Sequence, residues 1–135
     1  MMDLARSVLE NFIKEMQDYE NEWGERMQNS IEETFSDESN KKRLAQVIEI
    51  QNKYLSKKAL SLKQDRRTTL TFSVPPEYDQ TITSEKIINN KKLEYETNRD
   101  EEPYRIYTVI LEEKMWKVDK MAIGSMNWRV TRQIF

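Results

Sequence analysis

The apolar residues of this chain change their spacing at about Arg67, and that change limits the folds available to it. Before Arg67 they recur every three or four residues, the period of an amphipathic helix. After Arg67 they alternate with polar residues and are rich in β-branched and aromatic types, as in strands. The order predicts an α+β fold with N-terminal helices packed on an antiparallel β-sheet. At 135 residues the chain is expected to form one domain, mainly helical over 1–66 and mainly sheet over 67–135.

The first helix is predicted to run from Leu4 to about Phe35, with Asp3 as its N-cap. Gly24 lies within it and marks a point where the helix bends or is interrupted, since Gly costs about 1 kcal/mol relative to Ala. Residues three or four apart form one broad apolar face, which Leu9, Ile13 and Phe35 widen and which is expected to lie in the core: Leu4, Val8, Phe12, Met16, Tyr19, Trp23, Met27 and Ile31.

A polar segment, Ser36–Lys42, separates this helix from a second one, whose start is predicted at Ser39 or Asn40. The second helix is expected to end between Leu55 and Leu62, and the conformation of the residues up to Arg67 stays open. Residues 1–36 carry nine acidic and three basic side chains, whereas residues 41–67 carry two acidic and nine basic ones. The interpretation we favour is mutual attraction of two helices with solvated outer faces, and the alternative is a face that steers a charged partner.

The strands are predicted at Thr69–Val74, Tyr104–Leu111 and Met115–Ile123, with a shorter run at Leu93–Thr97, because β-branched and aromatic residues dominate these runs and polar or turn-forming segments bound them. Ile82–Asn90 fits either a short strand or a helical turn. Alternation along the last strand predicts two opposite faces. One face carries Trp116, Val118 and Ala122, and the other carries Met115, Lys117, Asp119 and Met121. Trp116 is expected in the core.

Histidine and cysteine are both absent from the chain. Their absence excludes Ser-His-Asp and Cys-His catalysis, disulfides and thiolate metal sites. We therefore expect a protein that is not an enzyme and that uses no cofactor and no metal. The basic segment 41–67 holds a single Tyr, but the net charge of −2, the acidic pI and the lack of aromatic residues interleaved with the basic ones argue against a nucleic-acid partner. No apolar run approaches the roughly 20 residues of a membrane span and no signal peptide is evident, so a cytoplasmic location without membrane partners is expected.

Two segments, FSVPPEYD at Phe72–Asp79 and the stretch Lys91–Lys120, resemble the NTF2-fold immunity proteins of bacterial polymorphic toxin systems. In that family a strand ends at a Pro-Pro-Glu-Tyr corner, and a short strand ending in Thr, an aromatic strand and a Trp-containing strand ending near an Asp follow. The matching residues are Pro75, Pro76, Glu77 and Tyr78, then Tyr95 and Thr97, then Tyr104 and Tyr107, then Trp116 and Asp119. The chain departs from the pattern at Met115, where a Gly before the Trp is usual.

The resemblance implies an NTF2-like cone, in which a curved antiparallel sheet wraps over the N-terminal helices. It also implies a function, binding and neutralising a cognate toxin domain in the cytoplasm. Pro75, Pro76, Glu77, Tyr78, Trp116 and Asp119 are expected to build the scaffold, and the resemblance assigns no partner-binding residue.

Two alternatives remain from the sequence. One is a small-molecule binding protein, or an isomerase or dehydratase, that uses the cone cavity, with Asp119 as base and Tyr95, Tyr104 or Tyr107 as phenol donor. Against it, we expect Asp119 at the surface near a strand end and the tyrosines packed in the core with their hydroxyls hydrogen-bonded. The other alternative is a structural or regulatory module that forms a homodimer through the sheet.

Overall fold

The computed structural model describes residues 2–61, 80–97, 104–125 and 130–133. The described helices are α1 (Met2–Asn29), α2 (Ile31–Thr34), α3 (Asp37–Tyr54) and α4 (Lys57–Leu60). The described strands are β1 (Ile82–Asn89), β2 (Lys92–Thr97), β3 (Tyr104–Glu112), β4 (Met115–Ser125) and β5 (Val130–Gln133). These strands form one antiparallel sheet in which each strand pairs with the next along the chain. The α+β prediction is confirmed.

The predicted first helix is divided in two, and the division falls at Ser30 rather than at Gly24. Ser30 has extended backbone angles and its side chain accepts a hydrogen bond from the backbone amide of Glu33, so it is the N-cap of α2. A serine side chain competes with the helical hydrogen bonds in this way. Asp3 lies inside the first turn of α1, so the prediction that it is the N-cap was wrong.

The third helix begins earlier than the sequence pattern predicted. Ser36 is its N-cap, because the Ser36 hydroxyl accepts a hydrogen bond from the amide of Ser39 at 3.2 Å. The predicted start at Ser39 or Asn40 was therefore wrong by two or three residues. The helix ends at Tyr54, one residue before the predicted range, and α4 follows after Ser56, its N-cap.

The strands predicted at Leu93–Thr97, Tyr104–Leu111 and Met115–Ile123 are confirmed as β2, β3 and β4, and the ambiguous segment at Ile82–Asn90 forms β1. The predicted strand at Thr69–Val74 lies outside the described residues. The β3–β4 hairpin turns through Glu113 and Lys114, which have φ angles of 49° and 67°. Two left-handed residues are the mark of a type I′ turn, whose twist suits a two-residue hairpin.

The last long strand, β4, contains a β-bulge at Asp119. Thr108 pairs with Lys120, but the next residue of β3, Val109, pairs with Val118, so Asp119 is the extra residue on its strand. A bulge changes the face on which every later side chain lies. The sequence pattern, which assumed strict alternation, could not predict this.

The bulge corrects the predicted faces of β4. Asp119 and Met121 are buried with Trp116 and Val118, whereas Ala122 is half-buried. The prediction that Ala122 shares a face with Trp116, opposite Met121, was therefore wrong. Trp116 is 7% exposed, which confirms it as a core residue.

The core lies between the helices and one face of the sheet. Ring contacts join these layers, because Phe12 on α1 meets Tyr54 on α3 edge to face at 6.0 Å and Tyr107 on β3 at 6.4 Å. Other core side chains are Leu9, Met16 and Trp23 from α1, Val47 and Leu55 from the α3 region, and Leu93, Tyr95, Val109 and Val118 from the sheet. Full burial of such a side chain contributes about 1.5–3 kcal/mol. The prediction that Leu4, Ile31 and Phe35 lie in the core was wrong, because these side chains are exposed at the two ends of the apolar face.

Candidate functional site

Of the six residues expected to build the scaffold, the structure describes two. Pro75, Pro76, Glu77 and Tyr78 lie outside the described residues. Trp116 packs in the core, and Asp119 occupies the bulge of β4.

Asp119 is buried within a strand, and the prediction that it lies at the surface near a strand end was wrong. It is 7% exposed, and its Oδ1 accepts a hydrogen bond of 2.6 Å from the hydroxyl of Ser56. The same hydroxyl accepts from the amide of Ala59 at 3.1 Å, while the Ser56 amide donates to the carbonyl of Val118 at 2.9 Å. The bulge therefore carries a carboxylate to the junction of α3 and α4 and joins that junction to the sheet.

The tyrosines of the enzyme hypothesis lie in the sheet, on β2 and β3. Tyr95 and Tyr107 are paired neighbours on β2 and β3, both fully buried, which confirms their packing in the core. The Tyr107 hydroxyl donates a hydrogen bond to Oε1 of Gln80 at 2.8 Å. The pKa of Tyr95 is raised, mainly because the residue is buried and secondly because Glu85 is nearby. Tyr104 is half-buried at the start of β3. The hydrogen bonds described for Asp119 and Tyr107 join them to Ser56 and to Gln80, not to each other.

The described residues form neither a metal site nor a membrane-spanning helix. Among the described residues, no group of acidic side chains is placed to hold a metal ion. No helix in the described ranges is both long and apolar enough to cross a membrane.

The helical side of the molecule carries a groove between α1 and α3, which we call the α1–α3 groove. Its volume is about 250 Å³, and its lining residues are Glu15, Asp18, Tyr19, Glu22, Gln46, Glu49 and Ile50. Three of its four carboxylates are already neutralised by lysine or arginine: Glu15 by Lys53 at 2.8 Å, Asp18 by Lys14 at 3.4 Å and Glu22 by Arg26 at 3.0 Å.

The electrostatics of the groove agree with this pairing. Burial raises the pKa of Glu15, but hydrogen bonds from Lys53 and Tyr54 outweigh it and the net pKa is lowered. On the floor of the groove, burial raises the pKa of Tyr19 to about 12.

A second feature lies where α1, α2 and α3 meet, and we call it the α2 corner: Trp23, Ile31, Thr34, Phe35 and Arg43. Arg43 is 2% exposed, and its guanidinium donates hydrogen bonds to the carbonyl of Thr34 and to the Asn40 side chain. It also lies over two rings, 5.0 Å from the centre of Trp23 and 5.2 Å from that of Phe35. Such contacts are attractive, and more so when the cation is withdrawn from water.

A pocket of about 230 Å³ opens beside the α2 corner and is lined by Trp23, Arg26, Asn29, Ser30, Glu33, Thr34 and Ser39. Sequence reasoning missed both this corner and the role of Ser56. One local signal was available, because Ser30, Ser36 and Ser56 each cap the amide three residues ahead. The placement of Arg43 between two rings had no sequence signal, since it depends on how three helices meet.

Helices followed by an antiparallel meander define an α+β protein in which the helices cover one face of the sheet. Against models of known protein families, residues 4–129 match the NTF2 fold immunity protein family. Because the match spans nearly the whole chain, this protein belongs to the NTF2-fold immunity protein family. Comparisons with curated proteins and with solved structures gave no significant match.

Proposed function

We propose that this protein is a stoichiometric inhibitor that binds and neutralises one cognate toxin domain and has no catalytic activity of its own. The observation that carries the proposal is its membership of the immunity protein family over residues 4–129. In this proposal the inhibitor meets the toxin in the cytoplasm of the cell that makes both.

The chemistry of the chain supports an inhibitor more than an enzyme. The chain has no His and no Cys, the residues that most often supply a general base or a nucleophile near neutral pH. The one carboxylate that the enzyme hypothesis relied on, Asp119, is hydrogen-bonded to Ser56 at a junction of backbone elements. A protein inhibitor needs no such group, because its effect comes from covering a surface of the toxin.

The direct test is protection of growth. The toxin domain encoded beside this protein's gene is expressed in a bacterial host with this protein, with an empty vector, or with an immunity protein of the same fold from another toxin system. We expect growth only with this protein, together with a one-to-one complex in size-exclusion chromatography with light scattering. Continued killing while this protein accumulates in folded form would refute the proposal.

A further inference from the structure

Two large apolar side chains of the α2 corner face solvent. Ile31 is 66% exposed and Phe35 is 49% exposed, and they are four residues apart, so they lie on the same side of the α2 turn. Exposed apolar groups that lie together are more informative than single ones, since they mark surfaces that bind another molecule.

The pair is held in place by buried and capped groups. Phe35 stacks on Arg43, whose guanidinium is bonded to the carbonyl of Thr34, and the Thr34 hydroxyl donates to the carbonyl of Ser30 at 2.6 Å. Ser39 adds a hydrogen bond from its hydroxyl to the carbonyl of Glu33 at 2.7 Å. A rigid turn loses little conformational entropy when a partner binds, which favours affinity.

The surroundings of the pair are negative. Five exposed carboxylates lie in the segments that flank or form α2, and no ion pair of the described residues includes any of them: Glu25, Glu32, Glu33, Asp37 and Glu38. Lys41 and Lys42, the next exposed cations along α3, form no ion pair with them, and two lysines leave an excess of negative charge. Unpaired surface charge attracts an oppositely charged partner and speeds association.

The α1–α3 groove is the rival surface, and its charge argues against it. Three of its carboxylates already form ion pairs within the chain, so a basic partner would have to displace Lys14, Arg26 or Lys53. The five carboxylates that surround the α2 corner need no such exchange.

We propose that the α2 corner is the surface that docks the cognate toxin domain, and that the matching toxin surface is basic with an apolar centre. Ile31 and Phe35 form the apolar contact, the pocket beside Trp23 takes one partner side chain, and Lys or Arg side chains of the toxin meet the surrounding carboxylates. This inference rests on the proposed function, because it assigns the surface through which that function is carried out.

The test uses a catalytically inactive form of the toxin domain encoded beside this gene as the probe, with Kd and association rates measured by surface plasmon resonance at several salt concentrations. Ile31→Ala removes exposed apolar area and is expected to weaken binding at least about 10-fold, mainly through faster dissociation. The double variant Glu32→Gln with Glu33→Gln is expected to slow association by about 3–10-fold at low salt and to flatten the salt dependence.

Matched controls separate docking from general effects. Leu4→Ala removes an equally exposed apolar side chain, 64% exposed, from the other end of α1. Asp18→Asn with Glu49→Gln removes two charges from the α1–α3 groove. Both controls are expected to bind within about two-fold of the wild type, and urea unfolding midpoints confirm that all variants are folded.

Each outcome decides the inference. If the wild type binds the toxin and both α2-corner variants bind within two-fold of it, the docking surface lies elsewhere and the inference is wrong while the proposed function stands. Loss of binding in the Asp18 and Glu49 variant instead would place the toxin in the groove, which also overturns it. A wild-type protein that fails to bind the toxin would refute the proposed function and this inference together.

Discussion

Ser56→Ala tests the most specific structural element of this fold, the hydrogen bond from Ser56 to the buried carboxylate of Asp119. The serine is fully buried, and its hydroxyl both donates to Oδ1 of Asp119 at 2.6 Å and caps α4 by accepting from Ala59. Loss of an N-cap costs about 1 kcal/mol. Loss of a buried hydrogen bond to a charged group costs a further 1.5–3 kcal/mol, roughly. We expect Ser56→Ala to lower the free energy of unfolding by about 2.5–4 kcal/mol, out of a total of about 5–15 kcal/mol.

The assay is a double-mutant cycle measured by urea unfolding at pH 7. Ser56→Ala, Asp119→Ala and the double variant are compared with the wild type, and the coupling energy is expected to be about 1–2 kcal/mol. Because 1 kcal/mol shifts the melting temperature of a domain this size by about 3–5 °C, Ser56→Ala is expected to lower it by roughly 8–20 °C.

Ser36→Ala is the matched control, since Ser36 also caps a helix but is only half-buried, and its hydroxyl is hydrogen-bonded to backbone groups of Glu33 and Ser39. It is expected to cost only about 1 kcal/mol. If Ser56→Ala costs no more than Ser36→Ala, and the coupling to Asp119 is under about 0.5 kcal/mol, the bulge does not join α4 to the sheet as argued.

Three further outcomes are expected. Tyr19→Phe is expected to raise stability by about 1 kcal/mol, because the Tyr19 hydroxyl is buried with no hydrogen-bond partner among the described residues. Burial raises the pKa of Tyr19 to about 12. The pKa of Tyr54 is also raised to about 12, mainly by burial and secondly by the neighbouring Glu15. Because the fold favours the neutral phenols, their contribution to the free energy of unfolding is complete below about pH 10 and is lost as the pH rises to about 12. Unfolding midpoints and phenolate absorbance, measured over this pH range, test this expectation. Lys114→Gly is expected to raise stability by about 1 kcal/mol, because Lys114 has a φ angle of 67° and glycine adopts it without strain.

Paired variants check these outcomes. Tyr107→Phe is the control for Tyr19, since the Tyr107 hydroxyl donates to Gln80, and its loss is expected to destabilise by about 1 kcal/mol. Equal effects of the two changes would contradict the reasoning. Lys91→Gly is the control for Lys114, because Lys91 is also a turn residue but has no positive φ, and it is expected to destabilise. A tyrosine titration complete near pH 10 would contradict the pH prediction.

The sequence predicted elements well where one local pattern acted alone. Alternation in β2, β-branched and aromatic content in β3, and helical spacing in α1 identified those elements. Boundaries were wrong where a serine side chain competed with the helix backbone, at Ser30 and Ser36. The Pro-Pro-Glu-Tyr corner at 75–78, which helped to indicate the family, remains a prediction as a structural feature.

The sequence did not predict the candidate site, and the reason is different. The bulge at Asp119 depends on pairing with Val109 and Thr108, residues about ten positions away along the chain. Likewise, Arg43 reaches Trp23 only because α1 and α3 lie side by side. Neither contact has a periodic signature.

By itself, the sequence determined the class of this protein: helices, then a sheet, without His or Cys, in the order typical of the NTF2-fold immunity family. Only the tertiary structure decided which side chains are buried and which charges are already paired. One extra residue in β4 turned Asp119 inward, and the meeting of α1, α2 and α3 left Ile31 and Phe35 exposed beside unpaired carboxylates. Periodicity follows from the local backbone, whereas burial and charge pairing depend on residues brought together from distant parts of the chain.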